Sequence, residues 1–168
     1  MSETPTTKPS YLGLLNAIAI GEARAHRYLT AWIAVCTDPE VRDVLETVCW
    51  REGEHGMSFA KRIDELGFSV RSKEDPNLER DLEVAGSTEL TDRQKVEHFG
   101  LGRLTETLSF FDDIFKDHSI DIRTGELLGR YIAEEFDSAR LLSGCYAALC
   151  ATDDGADRAQ RAASSGSS

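Results

Sequence analysis

The sequence predicts an all-α protein, an antiparallel four-helix bundle with a long crossover between its second and third helices. Three observations predict it. Apolar residues recur every three to four positions along four long segments, the spacing of one helix face. Helix start and stop residues stand at the ends of those segments. No alternating pattern long enough for several strands stands out.

Ser10 is a candidate cap for a first helix over roughly residues 11–35, with the stripe Leu15, Ile18, Glu22, Ala25, Leu29 and Trp32. Asp38, Pro39 and Glu40 start the second: an acceptor at N-cap, proline at N1 and an acid in the first turn. It should run to Leu66, with Gly67 as its stop. Residues 67–90 form a charged connection with Pro76 and Gly86, long enough to cross over and to carry a short helix near Leu78 to Val84. Thr91 and Gln94 make a capping box for the third helix, expected to end between Phe115 and Asp117. Asp121 can cap the fourth, expected to run to about Ala151. Short turns at 36–38 and 118–120 make each flanking pair antiparallel neighbours, and short–long–short connections suit a bundle with one crossover. The expected organisation is thus a disordered start over 1–10, the bundle over 11–151 and a disordered tail over 152–168.

Composition narrows the function classes. A chain of 168 residues suffices for one domain with a sizeable core. Its formal net charge of −11 opposes general binding to nucleic acid or acidic membrane. Met1 to Ser10 is polar and does not read as a secretory signal. No segment approaches the roughly 20 apolar residues of a membrane span, so a cytoplasmic protein is expected. Cys36, Cys49, Cys145 and Cys150 form no Cys-x-x-Cys pair, which excludes a zinc ribbon and suggests reduced thiols. A phosphate-binding glycine loop and a nucleophile elbow are both missing from the sequence.

The chemistry-bearing residues are carboxylates on apolar stripes. Glu52 and His55 stand three apart on Leu45, Val48, Glu52, His55, Phe59, Ile63 and Leu66, so one helix face carries both. Such groups are costly to bury without a partner, and a cation is one such partner. Glu22 lies on the first stripe. Glu135 lies on Leu128, Tyr131, Ile132, Glu135, Ala139 and Leu142. Glu106 falls in the third segment, off the stripe Leu101, Leu104, Leu108, Phe111 and Phe115, with Asp112 and Asp113 as rivals. Glu22 and Glu52 are 30 positions apart, and Glu106 and Glu135 are 29 apart, as in two related hairpins.

The series Glu22, Glu52-x-x-His55, Glu106, Glu135-x-x-Ser138 resembles the ligand series of ferritin-like di-iron carboxylate proteins, the rubrerythrin and bacterioferritin relatives. The family pattern has a second histidine where this chain has Ser138. The resemblance spans about residues 11–150. It implies a ferritin-like bundle with Glu52 and Glu135 bridging two irons, Glu22 and His55 completing one site and Glu106 the other. It further implies iron, or manganese, reacting with oxygen or peroxide, as in ferroxidases or peroxidases, in a homo-oligomer. A hydroxyl is a poor iron ligand, so Ser138 leaves open two unequal metals, one metal or none. Asp137, about 200° round the helix from Glu135, does not fill the gap. His26, one turn beyond Glu22, is a candidate substitute or supporting donor, and Tyr28, Trp32, Trp50, Phe59 and Tyr131 are candidate aromatic lining or plain core. Arg140 reads either as a counter-charge or as surface. The alternative function is a metal-free bundle of the same fold acting as an interaction or dimerisation module.

Overall fold

The computed structural model describes residues 7–72, 74–102, 114 and 116–165, with side chains as far as residue 152. The described residues are helical and contain no strand: α1 (Leu12–Ile33), α2 (Pro39–Glu65), α3 (Leu78–Ala85), α4 (Asp92–Phe99) and α5 (Ile122–Ser165).

Local sequence explains most of the boundaries. α1 has Tyr11 at its N-cap and no side-chain cap. Ser10 does not cap it. The Ser10 hydroxyl instead donates to Asp117 Oδ2 at 2.6 Å, and Tyr11 Oη donates to Asp121 Oδ2 at 2.7 Å. These bonds fasten the entry of α1 to the turn before α5. Asp38 caps α2 as expected, its Oδ1 accepting from Glu40 N at 2.9 Å and Val41 N at 3.2 Å. Gly67 ends α2 at φ 83°. Gly67 N donates to Asp64 O and Phe68 N to Ile63 O, the paired bonds of a Schellman stop.

α3 lies in the long connection where a short helix was expected. Asp81 pins it to α1 through Arg24 and approaches His98 Nε2 at 3.3 Å. Thr91 and Gln94 form the capping box of α4. That helix is much shorter than the sequence suggested. It stops at Phe99 because Gly100 turns left-handed, at φ 67°. The expected continuation to Phe115–Asp117 falls mostly on residues 103–113, outside the described residues, and Glu106, Asp112 and Asp113 go with it. α5 differs in the other direction. Asp121 Oδ1 accepts from Thr124 N at 3.0 Å, and the helix runs to Ser165, past its expected end near Ala151.

Side-chain partners fix the packing directions. His26 meets Cys49, and Gly56 meets Ala23 and Ala19, so α1 and α2 are antiparallel. Arg51 meets Ser138, His55 meets Glu134 and Arg62 meets Thr124, so α2 and α5 are antiparallel too. The core has two apolar layers. One gathers Leu15, Ala19, Phe59, Ile63, Leu128 and Tyr131. The other gathers Leu29, Trp32, Val41, Leu45, Val96 and Leu142. Each fully buried large side chain contributes about 1.5–3 kcal/mol, and Trp32, Phe59, Leu15 and Leu45 are all nearly inaccessible. Between the layers α1 carries Glu22, and α2 carries Glu52 and His55.

Candidate metal centre

That intermediate layer is polar and buried. Glu22, Glu52 and His55 keep 7%, 7% and 3% of their surface exposed. Helical spacing places Glu52 and His55 on one side of α2. Gly56 then lets α1 come close: a β-carbon there would lie 3.2 Å from Ala23 N. The close crossing brings Glu22 to His55, whose Nδ1 is 3.5 Å from Glu22 Oε2 and 3.6 Å from Glu135 Oε1. These three ligand atoms lie within 4.8 Å of one another.

Each is sealed from water and lacks a hydrogen-bond partner among the described residues: Glu22 Oε2, His55 Nδ1 and Glu135 Oε1. Buried polar atoms are normally satisfied, and an unmet one costs about 1–3 kcal/mol. Three such atoms facing one point call for something to fill it. Metal–ligand bonds of about 2.1 Å place neighbouring ligand atoms about 3.0–3.4 Å apart, close to the two His55 distances. One imidazole with carboxylates suits iron, manganese or zinc more than copper(I), which prefers sulfur.

The other atom of each group is held. Tyr131 Oη donates to Glu22 Oε1 at 2.9 Å. His55 Nε2 is 2.6 Å from Glu134 Oε2. In the neutral imidazole a carboxylate on Nε2 favours the proton there, which leaves the Nδ1 lone pair for the shared space, the usual support of a metal-bound histidine. Tyr131 also packs edge-on against His55, with ring centroids 4.9 Å apart.

Electrostatics reflect crowded acids. Burial, then the Glu22 carboxyl beside it, push Glu52 up to about 11. Burial and the charge of Glu22 push Glu135 up to about 7. Burial works against the charge on Glu22, yet the neighbouring His55 and Glu52 side chains and the Tyr131 hydroxyl hold it below the usual carboxylate range. Glu22 and Glu52 therefore share one proton, since two buried like charges do not both ionise. Burial lowers His55, but Glu22 and Glu134 outweigh it and hold the imidazole above its ordinary value.

The remaining expected residues are placed as follows. Glu106 lies outside the described residues. His26 does not enter the layer; its Nδ1 sits 2.9 Å from Cys49 O, over Gly53. Trp50 is 77% exposed on the surface. Tyr28 and Trp32 stack with Phe99 in the apolar core. Arg140 is a surface residue paired with Asp137. All four cysteines are free thiols. Two residues went unnoticed in the sequence: Glu134, which reads as the surface partner of Arg130 at i+4, and Arg51, which precedes Glu52. Their signal lies only in adjacency to Glu135 and Glu52. Two clefts, of about 240 and 350 Å³, lie elsewhere; neither is lined by Glu22, Glu52, His55 or Glu135. Compared with family models, curated proteins and solved structures, the chain finds no match.

Proposed function

We propose that this chain is a ferritin-like metal-binding bundle that holds divalent iron or manganese through Glu22, His55 and Glu135, with Glu52 as a further carboxylate. The observation that carries the reading is the convergence of three buried ligand atoms from three helices, none with a hydrogen-bond partner among the described residues. Iron or manganese bound there supplies redox chemistry toward oxygen or peroxide. The protein's own residues do the rest. Tyr131 anchors Glu22, Glu134 orients His55, and Glu52 gives up its proton as a cation arrives. Anaerobic loading with Fe(II) or Mn(II), then gel filtration and metal analysis, tests this. Retained metal supports it, and its loss in Glu22→Gln and His55→Ala ties it to these residues. Less than about 0.1 cation per chain contradicts it.

A second reading, an interaction module, draws on the outer face of α2. Trp50 and Met57 are 77% and 70% exposed there, two helical turns apart. Exposed large apolar groups of this kind mark contact surfaces when contiguous. Sedimentation of wild type and Trp50→Glu separates this reading from the first: the metal reading leaves binding unchanged in the variant.

A further inference from the structure

We infer that the polar layer takes one divalent cation where the family resemblance implies two, because the Arg51 guanidinium holds the second position. The inference rests on the reading that the layer binds a cation at all.

Arg51 sits on α2 directly before Glu52. Its Nη1 donates to Ser138 Oγ at 3.1 Å and its Nη2 to Asp137 Oδ2 at 2.8 Å. Ser138 is one turn beyond Glu135, at the position where the matching pattern carries its second imidazole, and it is only 2% exposed. A side chain there faces the interior, so the guanidinium reaches in from α2 to meet it. The Arg51 side chain itself is 25% exposed, which makes it a positive charge largely withdrawn from solvent.

Three physical consequences follow. The lone ligand atom that Ser138 offers already accepts a hydrogen bond, and a neutral hydroxyl binds such cations weakly in any case. Arginine does not lose its proton in proteins, so an arriving cation cannot neutralise it as it could a lysine. Two like charges at close range in a partly buried layer repel more strongly than in water. Asp137 anchors the guanidinium and is itself braced by Arg140 at 2.8 Å.

The test is stoichiometry, with Co(II) as the probe on the full chain. Equilibrium dialysis with metal analysis should find one Co(II) per wild-type chain. The double variant Arg51→Ala with Ser138→His, which removes the charge and restores an imidazole, should hold two. Two Co(II) per wild-type chain overturn the inference and leave the metal reading standing. Less than about 0.1 per chain in every variant overturns the metal reading itself. One per chain in both wild type and double variant removes Arg51 from the explanation and overturns the inference as stated. Should the bulky histidine at the buried 138 position prevent folding, as judged by circular dichroism, Arg51→Ala alone is counted instead: a second Co(II) there supports the inference, and one per chain in both wild type and Arg51→Ala overturns it.

Discussion

The hydroxyl of Tyr131 and the carboxylate of Glu134 do different jobs at the same centre, and substitutions separate them. Tyr131→Phe leaves Glu22 Oε1 without its donor at 2.9 Å. Stranding a buried acceptor should lower stability by about 1–3 kcal/mol, read by urea unfolding of the metal-free protein. An unchanged unfolding midpoint would show that Glu22 finds another donor. Glu134→Gln keeps the shape but weakens the hold on His55 Nε2, at 2.6 Å in the native protein. It should weaken Co(II) or Mn(II) affinity about 10- to 100-fold without abolishing it, measured by titration calorimetry. Equal affinity in variant and wild type would separate Glu134 from the centre. Sequence periodicity exposed Glu22, Glu52, His55 and Glu135, because each interrupts an apolar stripe with a charge. Glu134 and Arg51 escaped it, because a charged residue beside a stripe looks like ordinary surface until the neighbouring helix is in place.

At the scale of single helices, the stop and start signals carry most of the legible information. Asp38 and the Thr91–Gln94 box bind backbone donors directly, so the sequence alone marks where α2 and α4 begin. Gly100 was the misleading case. Three- and four-residue spacing continues past it through Leu101 and Leu104, and periodicity does not register one residue that turns left-handed. Ser10 misled for a related reason: its hydroxyl has a tertiary partner in Asp117 that local rules cannot supply. Asp38→Ala should cost about 0.5–2 kcal/mol, seen as a lower Tm, because two N–H groups lose their acceptor. Gly56→Leu tests the crossing of α1 and α2 instead. A side chain starting 3.2 Å from Ala23 N must push α1 away, carrying Glu22 from His55. Metal affinity should then fall further than stability. A variant that binds metal normally would show that the close crossing is not what assembles the centre.

Across the whole molecule, the polar layer between two apolar ones sets the pH response. Glu52 and Glu135 have raised values, near 11 and 7, and His55 is raised too. A raised value gives stability that is complete below the unfolded-state pKa and fades as pH climbs towards the folded one. The three groups therefore act in one direction, and the metal-free protein should lose stability from about pH 4.5 upward, Glu135 completing its loss at about 7 and Glu52 continuing towards about 11. Glu22 and Asp121 have lowered values, so their contribution is lost instead as pH falls below the usual carboxylate range. Maximum stability of the metal-free form belongs at mildly acidic pH, and a stability that rises steadily to pH 9 would contradict these assignments. A cation that displaces the shared protons should flatten the alkaline decline and raise Tm in a concentration-dependent way. The all-helical class was legible because every long segment repeats with helical period. Convergence of the acids was not, since spacing along a chain does not state how closely two helices cross. The most direct test of the central claim is metal content after anaerobic Fe(II) loading of wild type beside Glu22→Gln and His55→Ala. Wild type should retain iron and both variants should lose it; wild-type protein that emerges without iron, or variants that keep it, would overturn the metal centre.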